Sequence, residues 1–162
     1  MNTTNQTSVL TVAKEVLSQA TSLDLTLTPL QLMKLTYIAH GVKLAVIEQP
    51  MFEEEVEAWR YGPVISRLYQ KIKRFGRQPI PSDAIGELDI GQSCDEFDKK
   101  IIALVLAKWG KNSGPELSSA THQMDTPWYK IWNREGGKYM GNSSIPNHEI
   151  QQHYKELLNF PS

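Results

Sequence analysis

The sequence predicts a mainly α-helical fold: a single compact domain of about six to seven helices with a small two- or three-stranded β element. Apolar residues recur at three- and four-residue intervals along most of the chain, which is typical of amphipathic helices. Several of these stretches begin with a capping residue or a proline, and one short alternating stretch is the candidate strand. The 162-residue length fits one domain. We place it at residues 9–160, after a flexible polar tail at residues 1–8.

The first two helices are predicted from their apolar spacing. Residues Val9 to Ala20 have one apolar face, which indicates an amphipathic helix. Thr28-Pro29-Leu30-Gln31 can form a capping box with proline in the first turn, and the helix that it begins should run to about Ile47. Apolar side chains point in nearly every direction around this second helix, so we expect it to be central and buried on all sides.

The middle of the chain predicts a strand, a corner and a third helix. Residues Val56 to Trp59 alternate in polarity and indicate a short strand. Gly62-Pro63 is a change in chain direction, and we expect Pro63 to open a helix whose apolar residues extend to Phe75. Residues 76–91 are rich in Gly, Pro, Ser and Asp, which predicts a loop of low order.

The second half of the chain predicts shorter elements. Ser93-Cys94-Asp95-Glu96 is a candidate capping box for a second buried helix that ends at Gly110. The elements expected after it are a helix from Ser113 to about Gln123, a helix from Thr126 that carries Trp128 and Trp132, a weak strand at Tyr139-Met140, and a last helix opened by Pro146.

Composition limits the classes of function. Seventeen basic and 18 acidic residues give a net charge of -1, so there is no general electrostatic reason to expect a nucleic-acid partner. Cys94 is the only cysteine, which excludes an intrachain disulfide and a thiolate metal cluster. No apolar run is long enough to span a bilayer, and no secretory signal pattern precedes Val9. We therefore expect a cytoplasmic protein without membrane contact.

The sequence contains no complete pattern for a catalytic, metal or phosphate-binding site. Ser119 and His122 are one helical step apart, with Ser118 and Asp125 near them, but no nucleophile elbow accompanies them. The four histidines have no metal-ligand spacing, and the glycines form no phosphate-binding pattern. We therefore predict no enzyme activity, no metal and no cofactor, and a small hydrolase that uses Ser119 and His122 is the weakest alternative.

The charged and aromatic clusters are consistent with a protein-binding function, and each cluster also has an ordinary structural explanation. Acidic residues precede the Gly62-Pro63 corner and basic residues follow it, so they are either solvated faces or faces that dock on a partner of complementary charge. The large aromatics near the corner are either core residues or interface residues, since large aromatics usually belong to the core and Trp and Tyr are also enriched in interface hot spots. The residues concerned are Glu48, Glu53, Glu54, Glu55, Glu57, Arg67, Lys71, Lys73, Arg74, Arg77, Trp59, Tyr61, Tyr69, Trp128 and Trp132.

Four segments resemble a known family. Leu30-Gln31-Leu32-Met33-Lys34-Leu35-Thr36-Tyr37-Ile38-Ala39-His40-Gly41 is similar to the first signature of the Panacea domain, found in SocA-like and GepA-like phage-associated proteins. Phe52 with Glu57-Ala58-Trp59-Arg60-Tyr61-Gly62-Pro63-Val64 resembles the second signature, and Leu68-Tyr69 continues it. The third and closing segments are Leu117 to Thr121 with His122 and Pro127-Trp128, and Ile145-Pro146 with Ile150 and Tyr154. The resemblance extends over about residues 9 to 160.

This resemblance implies a helix-dominated fold and an antitoxin that neutralises a cognate toxin by direct protein contact. It implies as an alternative an adaptor that delivers the toxin to the ClpXP protease. Toxin identity and oligomeric state stay open. The expected partner-binding or motif residues are Lys34, Tyr37, His40, Glu57, Trp59, Arg60, Tyr61, Gly62, Pro63, Tyr69, His122, Pro127 and Trp128.

Overall fold

The structure, a computed structural model, describes residues 7–85, 92–141 and 143–160. Within these residues, eight α-helices and three β-strands form the mainly helical fold that the sequence predicts. In chain order they are α1 (Val9–Ser22), α2 (Pro29–Ile47), β1 (Val56–Trp59), β2 (Gly62–Val64), α3 (Ser66–Ile72), α4 (Glu96–Trp109), α5 (Gly114–Thr121), α6 (Pro127–Tyr129), α7 (Gly137–Met140), β3 (Ser143–Ile145) and α8 (Asn147–Leu157). A 3₁₀ turn at Lys73–Phe75 follows α3, and a π-helical turn at Lys130–Arg134 follows α6.

Helix α2 is the centre of the fold. Its predicted capping box is confirmed, because the Thr28 side chain accepts from the Gln31 N–H and the Gln31 side chain accepts from the Thr28 N–H. Every residue from Leu32 to Ala45 is buried, and α1, α4, α5 and α8 pack around the helix. Lys43 forms an ion pair with Asp98 at 2.7 Å, which joins α2 to α4 through a buried contact.

The corner at Gly62-Pro63 is a β-hairpin, and the prediction that Pro63 opens a helix is wrong. Strand β1 pairs antiparallel with β2 and β3, in the order β2-β1-β3, with Trp59 opposite Gly62 and Ala58 opposite Pro63. Because β2 is an edge strand, it tolerates a proline that lacks the N–H of a ladder hydrogen bond. Helix α3 begins only at Ser66, and Gly62 has φ +124°, a backbone angle that glycine adopts far more readily than other residues.

Two further predictions from the second half of the chain are wrong. The weak strand expected at Tyr139-Met140 is the short helix α7, and the strand follows at Ser143–Ile145, where it pairs with β1. Pairing with β1 buries Ile145, and this burial favours a strand at Ser143–Ile145 over one at Tyr139-Met140. The N-cap of α4 is Asp95, whose carboxylate accepts from the Asp98 N–H at 2.8 Å. Asp is as effective as Ser at this position, and Asp95 directly precedes the first helical residue.

The described end of the N-terminal tail packs on the domain. Residues 1–6 lie outside the described residues. Ser8 is buried and caps α1, since its hydroxyl accepts from the Leu10 N–H at 3.0 Å. The Thr7 carbonyl accepts from the Glu53 N–H at 3.0 Å. Thr7 therefore contacts the folded domain, and Ser8 is part of it.

The loop expected at residues 76–91 contributes to the core in its described part, residues 76–85. Ile80 and Ile85 are buried, and the Ile80 N–H donates to the Leu27 carbonyl at 2.8 Å. Residues 86–91 lie outside the described residues. None of the described helices is long and apolar enough to cross a membrane.

Candidate functional site

The β1–β2 hairpin displays an aromatic side chain at its tip. Arg60 and Tyr61 form the two-residue turn between the strands. Tyr61 is 70% exposed, and the guanidinium carbon of Arg60 lies 5.3 Å from the centre of its ring. The sequence left open whether Tyr61 is a core or a surface residue, and the structure places it at the surface.

Trp59 is half-buried at the base of the same hairpin. Its indole N–H donates to the Glu57 carboxylate at 2.8 Å, and its ring meets the Tyr69 ring edge-on with centres 4.9 Å apart. The Trp59 carbonyl accepts from the indole N–H of Trp128. Trp59 therefore belongs to both settings that the sequence left open, because its backbone is held from inside while its ring faces a surface cleft.

That cleft lies between the hairpin, α2 and α3, and has a volume of about 470 Å³. Its walls are mainly apolar and aromatic, and its charged lining residues are all basic. The lining comprises Pro29, Leu30, Met33, Lys34, Trp59, Arg60, Tyr61, Val64, Tyr69, Ile72, Lys73, Gly76 and Arg77. Mostly apolar concave sites with a few polar groups are typical binding sites.

Lys34 reaches the cleft from the buried central helix. The side chain is only 1% exposed, and its Nζ donates to the Pro63 carbonyl at 2.9 Å. Burial lowers the pKa of Lys34 from 10.5 to about 7, because desolvation disfavours the charged form. A Cβ added to Gly62 would lie 2.6 Å from this Nζ, so the close approach of hairpin and lysine requires glycine at position 62.

Tyr37 and His40, which were expected among the partner-binding or motif residues, lie in the core and do not reach the surface. The His40 Nδ1 accepts from the Met51 N–H at 3.1 Å, which leaves Nε2 to donate to Asn147 at 3.0 Å, and the ring stacks on Phe52 with centres 4.1 Å apart. Burial lowers the pKa of His40 to about 4. Tyr37 is 1% exposed. The elements packed against α2 cover both residues, so neither side chain reaches the surface.

The third sequence segment packs beneath the hairpin. Pro127 and Trp128 are buried, and the Trp128 ring meets His122 edge-on with centres 5.3 Å apart. The Ser118 hydroxyl donates to the Tyr61 carbonyl at 3.2 Å, which ties α5 to the hairpin tip. These residues support the displayed surface from within.

The serine and histidine considered for catalysis do not form a pair. The His122 Nδ1 donates to the Ser118 carbonyl, and within the described residues the only hydrogen bond between Ser119 and His122 is a backbone one, from the His122 N–H to the Ser119 carbonyl at 3.3 Å. A nucleophile and its base need a hydrogen bond between their side chains. The arrangement offers a structural histidine beside Trp128.

One residue of the acidic cluster forms an ion pair with one residue of the basic cluster. Glu54 forms an ion pair with Arg67 at 2.8 Å and also accepts from the Val9 N–H at 2.8 Å, which fixes the start of α1. Lys73 and Arg77, two of the basic residues that follow the Gly62-Pro63 corner in the sequence, line the cleft together with Lys34. The sequence pattern did not reveal this convergence because it depends on the turn after α3.

Two comparisons with known proteins match most of the chain to the same family. The family model "Antitoxin SocA-like, Panacea domain" matches residues 32–129, which include α2 from Leu32 onward, the hairpin and α5. Antitoxin SocA of Caulobacter vibrioides (strain NA1000 / CB15N) is 30% identical over 132 residues, which cover 77% of this chain and 70% of that protein. No solved structure matches the chain significantly. The chain therefore belongs to the antitoxin SocA-like, Panacea domain family.

Proposed function

We propose that this chain is an antitoxin that neutralises a cognate protein toxin by direct, stoichiometric binding. The observation that carries the proposal is Tyr61, a 70% exposed aromatic at the tip of a supported hairpin beside an apolar cleft. Tyr, Trp and Arg dominate the energetics of protein interfaces, and Tyr61, Trp59 and Arg60 lie together here. Membership of an antitoxin family and the name of the relative in Caulobacter support the same function.

Binding without turnover fits the chemistry of the site. The cleft presents aromatic rings and basic side chains, and within the described part of the chain the side chains of Ser119 and His122 are not hydrogen-bonded to each other. An interface of standard size, on the order of 1,600 Å², is sufficient for tight inhibition. The proposal places both partners in the cytoplasm, with no contribution from a membrane, a nucleic acid or a cofactor.

Co-expression in bacteria tests this function. Each reading frame adjacent to this gene is induced alone and together with the antitoxin, and viable counts are measured. We expect one neighbour to be lethal alone and harmless in the presence of this protein, and the two products to co-purify. Continued lethality of every toxic neighbour in the presence of this protein would show that the proposal is wrong.

The same cells separate masking from delivery to the ClpXP protease. Masking predicts that bound toxin accumulates, with the same half-life in cells that contain ClpX and cells that lack it. Adaptor function predicts that the toxin is degraded only when both ClpX and this protein are present. A pulse-chase measurement of the toxin distinguishes the two outcomes.

A further inference from the structure

The charge of the cleft points to the chemistry of its occupant. Four charged side chains line it, Lys34, Arg60, Lys73 and Arg77, and all of them are basic. Lys34 is at the buried end, and Arg60, Lys73 and Arg77 are exposed. The protein has a net charge of only -1, so this single-sign lining is a local property of the cleft. An acidic partner would meet complementary charge both at the rim and inside.

Lys34 has unused capacity to bind an anion. An ammonium group has three N–H donors, and the described contacts of Nζ contain one acceptor, the Pro63 carbonyl at 2.9 Å. No described carboxylate forms an ion pair with Lys34. A buried cation without a counter-ion is unfavourable, and a carboxylate that enters the cleft would supply that counter-ion.

We propose that the cleft binds an acidic segment of the partner protein, in which one Asp or Glu carboxylate contacts Lys34 and an adjacent apolar side chain packs against Trp59 and Tyr69. This inference rests on the proposed antitoxin function and specifies the partner's contact. Because Arg60, Lys73 and Arg77 add three cations around the opening, a segment with several carboxylates fits better than a single chain terminus. The volume of about 470 Å³ is of the order that accommodates a few side chains.

A phage-display selection tests the inference without knowledge of the toxin. The library carries random dodecapeptides fused to the coat protein through their C-termini, so a peptide carboxylate can come only from a side chain. We expect wild-type protein to enrich peptides with Asp or Glu next to an aromatic or aliphatic residue. Lys34→Met should lose this enrichment, whereas Lys100→Met should retain it, because Lys100 is exposed on α4 outside the cleft.

Binding of one selected peptide, synthesised with both ends capped, is then measured by fluorescence anisotropy. We expect Lys34→Met to weaken binding at least tenfold, a loss of about 1.4 kcal/mol, and replacement of the peptide's acidic residues by their amides to have a similar effect. If Lys34→Met does not fold, the double variant Lys73→Gln/Arg77→Gln, which changes only exposed residues, should weaken binding several-fold and reduce its salt dependence.

Three outcomes would overturn the inference: a selection without acidic enrichment, unchanged peptide binding by the cleft variants, or capture of single-stranded RNA in place of acidic peptides. These outcomes leave the antitoxin proposal intact if co-expression still rescues growth. Conversely, acidic peptides that bind through Lys34 in a protein that rescues no toxin would disprove the antitoxin function and keep the cleft assignment.

Discussion

The Nζ of Lys34 donates a hydrogen bond to the carbonyl oxygen of Pro63 at 2.9 Å, and so links the central helix to the edge strand of the hairpin. The two residues are 29 positions apart in the chain, one in the first and one in the second signature segment of the family. Gly62 lies beside the lysine, and a Cβ at this position would lie 2.6 Å from Nζ and would displace the end of the lysine side chain. Display of Tyr61 at the surface and burial of a cation beneath it are therefore parts of one arrangement.

Lys34→Met should make the protein more stable at pH 7. The pKa of Lys34 falls from 10.5 in the unfolded chain to about 7 in the fold, so the unfolded state binds more protons between these values. Stability contributed by this group is fully present above pH 10.5 and is lost as the pH falls to 7. Methionine removes the penalty and loses one hydrogen bond, for a net gain of roughly 1–3 kcal/mol.

Urea unfolding of wild type, Lys34→Met and Lys100→Met at pH 7 and pH 10 measures this effect. The free energy of unfolding of wild type and Lys100→Met should rise over this interval more than that of Lys34→Met. Equal pH dependence in all three proteins would contradict the burial of a titrating Lys34.

Gly62→Ala should destabilise the protein more than Gly76→Ala. Both glycines have positive φ, +124° and +57°, so alanine introduces backbone strain of order 1–3 kcal/mol at either position. Only at Gly62 does the new Cβ also meet a neighbour, the Lys34 Nζ at 2.6 Å, whereas nothing lies within 4 Å at Gly76. Thermal unfolding followed by circular dichroism compares the two, and a larger loss for Gly76→Ala would contradict the close contact.

His40 should make the protein sensitive to acid. Its pKa falls from 6.5 to about 4 on folding, so its contribution to stability is present above pH 6.5 and is lost as the pH falls towards 4. By pH 5 the loss is about 2 kcal/mol. His40→Gln should unfold more easily at pH 7.5 and should lose less additional stability at pH 5 than wild type, as measured by denaturant unfolding at both pH values. A variant with the full acid sensitivity of wild type would assign that sensitivity to other groups.

Tyr61→Ala should weaken toxin binding while leaving the fold intact. Tyr61 is 70% exposed, so its removal should change the free energy of unfolding by less than about 0.5 kcal/mol. Loss of an aromatic at the centre of an interface costs about 2 kcal/mol or more, which corresponds to roughly 30-fold weaker binding. Tyr139→Ala is the matched control, because Tyr139 is 83% exposed on α7 away from the cleft lining. Calorimetric titration with the purified toxin should separate the two variants, and equal affinities would remove the hairpin tip from the interface.

Residue type and spacing were sufficient to predict most of the helices, but not α7 or the start of α3. Apolar residues around the whole circumference of α2 indicated a central helix, and the capping patterns at Thr28 and Ser113 marked helix starts that the structure confirms. These features depend on residues close in sequence, where backbone sterics and side-chain capping act locally. The signature segments likewise indicated the family, which the comparisons confirm.

The tertiary structure decided what the corner does. Gly62-Pro63 satisfies the local rules for a helix start, yet pairing with β1 places Pro63 in an edge strand, because that pairing buries Ala58 and Val56 in the core. Lys34, Tyr37 and His40 are equivalent in sequence spacing, but only Lys34 reaches the cleft, since the hairpin packs over its turn of α2. The sequence by itself therefore determined the long helices and indicated the family. Long-range packing of hairpin, α2 and α3 determined which residues form the cleft, because burial and close contact depend on segments far apart in the chain.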